Sequence, residues 1–151
     1  MSEQAPNAQW IDDAAGPGLL EDFSDDQWQV FLEHTEPRTF TAGERLIEQG
    51  DVDRTLYLIR SGRLEIRVKD QNGQERVLGE LPAGTVVGEQ AFIDGHARAA
   101  SIIGLEGGEL LGIGPKRFRE MRESHPELAA AFLLDLARAL SHRLRRMTQA
   151  W

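Results

Sequence analysis

Glycine recurs at short intervals through the middle of this chain, and no other feature restricts its fold as much. Between Pro37 and Gly114, the glycines at 43, 50, 62, 73, 84 and 95 and the Gly107-Gly108 pair cut the sequence into short runs of apolar and β-branched residues. Glycine weakens a helix interior and permits the left-handed backbone of tight turns. The stretch therefore predicts short antiparallel strands, closed into a barrel or stacked as a sandwich. In Leu64-Glu65-Ile66-Arg67-Val68-Lys69 apolar and charged residues alternate, which buries one face of the strand and wets the other. Asn72-Gly73 predicts a type I′ hairpin turn. The partner strand runs from about Glu75 to Leu81, with Val77 and Leu78 against the apolar face of its neighbour. Pro82-Ala83-Gly84 then turns the chain into Val86-Val87.

Helices are expected on either side. Ser24 and Gln27 make a capping box ahead of Trp28, Val30, Phe31 and Leu32, giving a short helix to about His34 that ends before Pro37. Pro115 opens a helix reaching about Ser124, with Phe118 and Met121 as its buried candidates, and His125-Pro126 interrupts and restarts it. The last segment, 126–151, sets Ala129, Leu133, Leu136, Leu140, Leu144, Met147 and Trp151 at spacings of four, three, four, four, three and four, one apolar stripe. Its lower half can pack on the strands. Leu144, Met147 and Trp151 would stay exposed unless something covers them, and a second copy of the chain is the economical cover. Arg138, His142, Arg143, Arg145 and Arg146 flank the stripe and read as a solvated basic face near a helix C-terminus. Residues 1–18, with Pro6, Gly16, Pro17 and several acidic groups, are expected to be a flexible lead-in to a domain spanning 19–151. Trp10 in that lead-in either packs back on the domain or docks on a partner.

One stretch carries chemistry. Gly88 to Ser101 reads GEQAFIDGHARAAS, in which Gly-Glu enters one helical turn over Gln90, Ala91, Phe92 and Ile93. Asp94-Gly95 breaks that turn, and Arg98 stands just before a strand-like Ala99-Ala100-Ser101-Ile102-Ile103. Free N–H groups at the start of a helical turn, the dipole of that turn and a guanidinium fork together make an anion cradle. Glu89 would repel the anion unless it accepts hydrogen bonds from the same ligand, and ribose hydroxyls are suitable donors. The combination asks for a sugar phosphate.

These residues, G-E-x-A-F-I-x-G-x-x-R-A-A-S, resemble the phosphate-binding cassette of the cyclic nucleotide-binding domain family. The loop length matches the protein kinase A regulatory-subunit form rather than the longer catabolite activator form, and the likeness extends from about Leu19 to Met147. The resemblance implies an α+β, mainly β fold: an eight-stranded antiparallel jelly-roll barrel (double-stranded β-helix) with an N-terminal helix, a short cassette helix and two C-terminal helices. It implies that Arg98 grips the equatorial oxygens of a cyclic phosphate, that backbone N–H groups of Gln90, Ala91 and Ala99 complete the shell, with Ala100 beside them in the ligand site, that Gly88 lets the backbone approach closely, and that Glu89 accepts from the ribose 2′-hydroxyl. The structural alternatives are a surface carboxylate as the partner of Arg98, and a capping role or a pairing with Arg98 for Glu89. Ile66, Leu78, Gly79 and Val87 align with positions near sugar and base, for which core packing is an equal explanation. Ala99 stands where relatives selective for cyclic GMP often carry Thr, which favours cyclic AMP and puts cyclic GMP second. In the catabolite activator type the C-terminal helix forms the dimer axis and supplies hydroxyls to adenine. Here Arg143 and Leu144 stand at those hydroxyl positions, so that Arg143 could stack on the base instead.

Composition bounds the remaining choices. A chain of 151 residues is one ordinary domain. Its net charge of −8 is opposite to what phosphate-driven DNA binding requires, and fits solubility or a basic partner. DNA-binding relatives continue into a helix-turn-helix that this sequence does not hold, so no direct DNA contact is expected. No apolar run is long enough for a membrane span, and the polar, acidic N-terminus is unlike an export signal, which predicts a cytoplasmic protein. Lack of cysteine excludes disulfides and thiolate metal sites. The histidines at 34, 96, 125 and 142 have no metal-binding spacing, and neither a Ser-His-Asp order nor a carboxylate pair stands out. The expectation is a receptor with no catalytic residues, metal or cofactor, homodimeric through its C-terminal helix and signalling to a downstream protein. The alternative is a scaffold on the same fold whose ligand has changed, for instance to cyclic di-GMP, or has been lost.

Overall fold

The computed structural model describes residues 20–149. The expectations for 1–19 and for Trp151 lie outside the described residues. Within them the order is α1 (Asp25–Glu33), β1 (Glu36–Phe40), β2 (Arg45–Ile47), β3 (Leu56–Ile59), β4 (Arg63–Lys69), β5 (Glu75–Leu81), β6 (Val86–Val87), α2 (Glu89–Asp94), β7 (Ser101–Glu106), β8 (Gly108–Ile113), α3 (Pro115–Ser124) and α4 (Pro126–Gln149).

The strands form two four-stranded antiparallel sheets, β1-β8-β3-β6 and β2-β7-β4-β5. The expected closed eight-stranded barrel is therefore corrected to a two-sheet sandwich. Two of the four edge strands, β2 and β6, have only three and two residues, too few to carry a ladder round the corner. A third, β1, holds Pro37, which has no N–H to give a further neighbour. The hairpin between β4 and β5 also differs from expectation. A type I′ turn needs positive φ at both central residues, but only Gly73 has it, at +81°. The Asp70 carboxylate instead accepts from the N–H groups of Asn72 and Gln74 at 2.9 and 3.0 Å, and its carbonyl accepts from Gly73 at 3.0 Å, an Asx-type turn.

Away from its edge strand β1, sheet one is buried on both faces. Along β3, Leu56 and Leu58 join Val86, Leu111 and Ile113 against the helices, while Tyr57 and Ile59 face the space between the sheets with Phe40, Val87 and Leu110. On the helical side, Phe31 of α1 and Phe132 of α4 meet with ring centroids 5.3 Å apart, and Phe92 of α2 stands edge-on to Phe118 of α3 at 5.6 Å. The capping box on Ser24 and Gln27 is formed on both of its arms. The stripe expected on α4 is displaced. Its buried residues are Leu128, Ala129, Phe132 and Leu136, of which Ala129 and Leu136 belong to the predicted stripe and Leu128 and Phe132 do not; Leu133 is exposed against expectation, and Leu144 and Met147 are exposed as expected.

Candidate functional site

The end of β6 delivers the chain to Gly88, whose φ is +77°. A Cβ there would collide with the guanidinium of Arg98 and lie 2.8 Å from the carbonyl oxygen of Thr55, so glycine is required both by backbone angle and by space. The first helical bond of α2 runs from Phe92 N–H to the Gly88 carbonyl at 3.2 Å. The amides of Glu89, Gln90 and Ala91 precede it and have no acceptor within the helix. Gly95, with φ +73°, ends the helix by donating to Ala91 at 2.9 Å.

Arg98 is only 4% exposed. One guanidinium nitrogen donates to the Gly88 carbonyl at 3.1 Å; the other donates to the Thr55 carbonyl at 2.7 Å and lies 3.3 Å from Asp53 Oδ2. Its buried Nε has no hydrogen-bond partner. The backbone is pinned as well, since Arg98 donates to Asp51 at 2.7 Å and accepts from Gly50 at 2.9 Å. Asp53 in turn accepts from the N–H and the hydroxyl of Thr55 at 3.1 and 3.0 Å. Burial pushes the Asp53 carboxyl up, but the two Thr55 bonds and the Arg98 charge outweigh it and hold the group below the usual aspartate range. Arg54 reaches over to donate to the Ala91 and Phe92 carbonyls at 3.2 and 3.0 Å, satisfying the C-terminal end of α2.

The connection Asp51–Thr55 is thus the other half of the cradle, and the sequence reading missed it. Its one local signal is Asp53 standing two residues before Thr55, an Asx-turn spacing. Asp53 is also the carboxylate that the structural alternative assigned to Arg98. For Glu89 the outcome differs from both expectations: its partner is Arg143 of α4, an ion pair largely shielded from solvent. Arg143 also donates to the Val86 carbonyl at 3.2 Å. It therefore turns inward rather than flanking the helix with the other basic residues.

Between the cassette and sheet two lies a cavity of about 230 Å³. Gly88, Glu89, Gln90, Ala91, Arg98, Ala99, Ala100 and Arg143 line one side of it, and Ile66, Leu78 and Val87 contribute to the apolar wall. Gly79 does not line it. A register shift between Ile66 and Arg67 pairs Gly79 with Ile66 and Val77 with Arg67, so Leu78 bulges out of the ladder and reaches the cavity while Gly79 stays paired. Val77 is 46% exposed and does not meet the apolar face. Ile47, Val68, Leu81, Val86 and Ile102 complete the wall without having been anticipated. Leu144, expected near a base, is 63% exposed.

A cradle of free amides, a buried arginine and a carboxylate at one end of an apolar cavity is the arrangement the sequence motif implied. The sequence profile of the cyclic nucleotide-binding domain matches residues 37–125, more than half of the chain. The chain belongs to this family. This cyclic nucleotide-binding domain is 30% identical over 118 residues to the cAMP-activated global transcriptional regulator CRP of Escherichia coli O6:H1, covering 78% of this chain and 56% of the relative. It thus spans about half the length of the curated relatives it matches. The crystal structure of the Thermus thermophilus catabolite activator protein superposes with a TM-score of 0.77 at 29% identity, covering 87% of this chain and 60% of that one. A cyclic nucleotide-binding domain from Methylobacillus flagellatus has the same fold, with a TM-score of 0.79 at 21% identity over 91% of this chain and 77% of the other. Among the described residues no helix is long and apolar enough to cross a membrane, and no group of three or more His, Cys, Asp or Glu could hold a metal ion.

Proposed function

We propose that this chain is a non-catalytic cytoplasmic receptor for a 3′,5′-cyclic nucleotide, cyclic AMP in the first place and cyclic GMP in the second. The observation that carries the reading is that buried Arg98, whose Nε has no hydrogen-bond partner, and the start of α2, whose first amides have no acceptor within the helix, line the same cavity as Glu89. The phosphate would take the guanidinium and the amides, the ribose would take Glu89, and the base would lie along Ile66, Leu78 and Val87. Ligand capture by Glu89 must rearrange or share its ion pair with Arg143, which couples the cavity to α4. The exposed Leu133, Leu144 and Met147 on that helix fit a second copy of the chain, and a downstream protein would read the change. A second reading, a scaffold with an altered ligand such as cyclic di-GMP or none, draws on the fact that Glu89 already has a partner within the chain.

Charge-assisted hydrogen bonds contribute about 1.5–3 kcal/mol each, so Arg98→Ala should weaken cyclic AMP binding by about two powers of ten. Isothermal calorimetry on a variant with native circular dichroism tests this. Unchanged affinity would remove Arg98, and with it this reading of the cavity.

A further inference from the structure

Around its axis α4 presents three stripes. One faces inward with Leu128, Phe132, Leu136 and Arg143, and a second carries the exposed apolar Leu133, Leu144 and Met147. The third runs through Asp135, Arg138, His142 and Arg145 at spacings of three, four and three; Arg145 is exposed, and Arg138, 3.6 Å from Asp135 Oδ1, still leaves two-thirds of its side chain to solvent for a second carboxylate. At the head of this third stripe Leu20, the first described residue, donates its N–H to Asp135 Oδ2 at 3.1 Å. Leu20 is itself buried in the helical core. The chain ahead of Leu20 is therefore tethered at that point on α4.

The signs of charge are fully separated between the two segments. Residues 1–19 hold Glu3, Asp12 and Asp13 and no Lys or Arg; residues 136–151 hold Arg138, Arg143, Arg145 and Arg146 and no Asp or Glu. Since Arg143 is turned inward onto Glu89, the outer positive charge lies on the third stripe and beside it. Leu134, one turn ahead of Arg138, adds exposed apolar surface at its edge. The acidic pair follows Trp10-Ile11 directly, which supplies large apolar groups next to the charges.

We infer that residues 9–13, Gln9-Trp10-Ile11-Asp12-Asp13, dock on this stripe, with Asp12 and Asp13 against Arg138 and Arg145 and the Trp10-Ile11 pair over Leu134. The reach is sufficient. The seven steps from Leu20 back to Asp13 extend to about 25 Å, whereas Asp135 to Arg145 is about 15 Å of helix. From Asp135 the other direction along the helix leads to Glu127, which repels the segment. Each exposed ion pair is weak alone, but the tether keeps the local concentration high and the docking remains sensitive to salt. The docked segment braces the outside of the helix whose inside holds Arg143 on Glu89. The placement does not depend on the ligand proposed above.

The chain has no cysteine, so a nitroxide on Ser141→Cys, an exposed position about 10 Å of helix from Leu134, is a unique label. With the full chain labelled in ¹⁵N, the indole N–H of Trp10 should be broadened at low salt. High salt, or the pair Asp12→Asn and Asp13→Asn, should relieve that broadening severalfold. Arg138→Glu with Arg145→Glu should also abolish it, and adding Asp12→Lys with Asp13→Lys should restore it. A sharp Trp10 signal at low salt overturns the inference, as does broadening indifferent to these charges. Broadening seen only when spin-labelled and ¹⁵N-labelled chains are mixed would place the segment on a second copy and also overturn it.

Discussion

Sheet one and sheet two are made of similarly short strands, yet they meet opposite surroundings. β3 of sheet one is buried at all four positions, because the helices cover one face and sheet two the other. β4 of sheet two has one fully buried residue, Leu64; its inner face borders the cavity and its outer face carries ion pairs such as Arg67 with Glu65 at 2.6 Å and Arg63 with Glu80 at 2.7 Å. The packing that resists unfolding is thereby gathered around the aromatic rings between sheet one and the helices. On the inner face of sheet two, Ile47, Leu64, Leu81 and Ile102 pack against sheet one, while Ile66, Val68 and Leu78 are left to line a space rather than fill one.

The largest effect should come from the helical side. Phe132 is fully buried, and Phe132→Ala should cost about 3–5 kcal/mol in denaturant unfolding. A loss no greater than that at a cavity-lining position would break the division between the sheets. Next is the hinge between them. Gly88→Ala places a side chain at positive φ against Arg98 and should destabilise by about 1–3 kcal/mol while also lowering ligand affinity, since it displaces the guanidinium. Thermal unfolding together with a ligand titration separates the two consequences; native affinity would show that the Arg98 position is not critical. Third, Ile66→Ala should cost only about 1–2 kcal/mol, the transfer cost with little new void, because that side chain already borders a cavity.

The smallest effect is a pH dependence at Asp53. Its carboxyl is held below the usual aspartate range in the folded chain, so the ionised form stabilises the fold above the unfolded value, and that contribution is lost as pH falls through the lowered one. Asp53→Asn should flatten the acid limb of the stability curve below about pH 4. The side chain is 56% exposed, which keeps the difference small. Superimposable acid limbs would remove Asp53 as a titrating support of Arg98.

The parts of the site that lie close together in sequence were legible there. Gly88, Glu89 and Arg98 fall within one turn-helix-loop unit, and local chemistry was enough to mark them as an anion cradle. The strands and helices were legible for the same reason, through alternation, capping and glycine spacing. What could not be read depended on long-range register. Asp53 and Thr55 lie more than forty residues before Arg98 and carry only a turn signal. That Leu78 lines the cavity and Gly79 does not follows from a bulge between Ile66 and Arg67, which alternation does not reveal. The inward turn of Arg143 also escaped, because a run of arginines on a helix looks uniformly solvated until the carboxylate facing one of them is known. Closure into a barrel failed as an expectation because edge-strand length, not strand number, decides it.

The most direct test of the central claim, that this cavity receives a cyclic mononucleotide, is a calorimetric titration of the chain with cyclic AMP, cyclic GMP and cyclic di-GMP side by side. The account predicts saturable binding of one cyclic AMP per chain, weaker binding of cyclic GMP and no heat from cyclic di-GMP. Silence from both mononucleotides, or binding of cyclic di-GMP in their place, would contradict it.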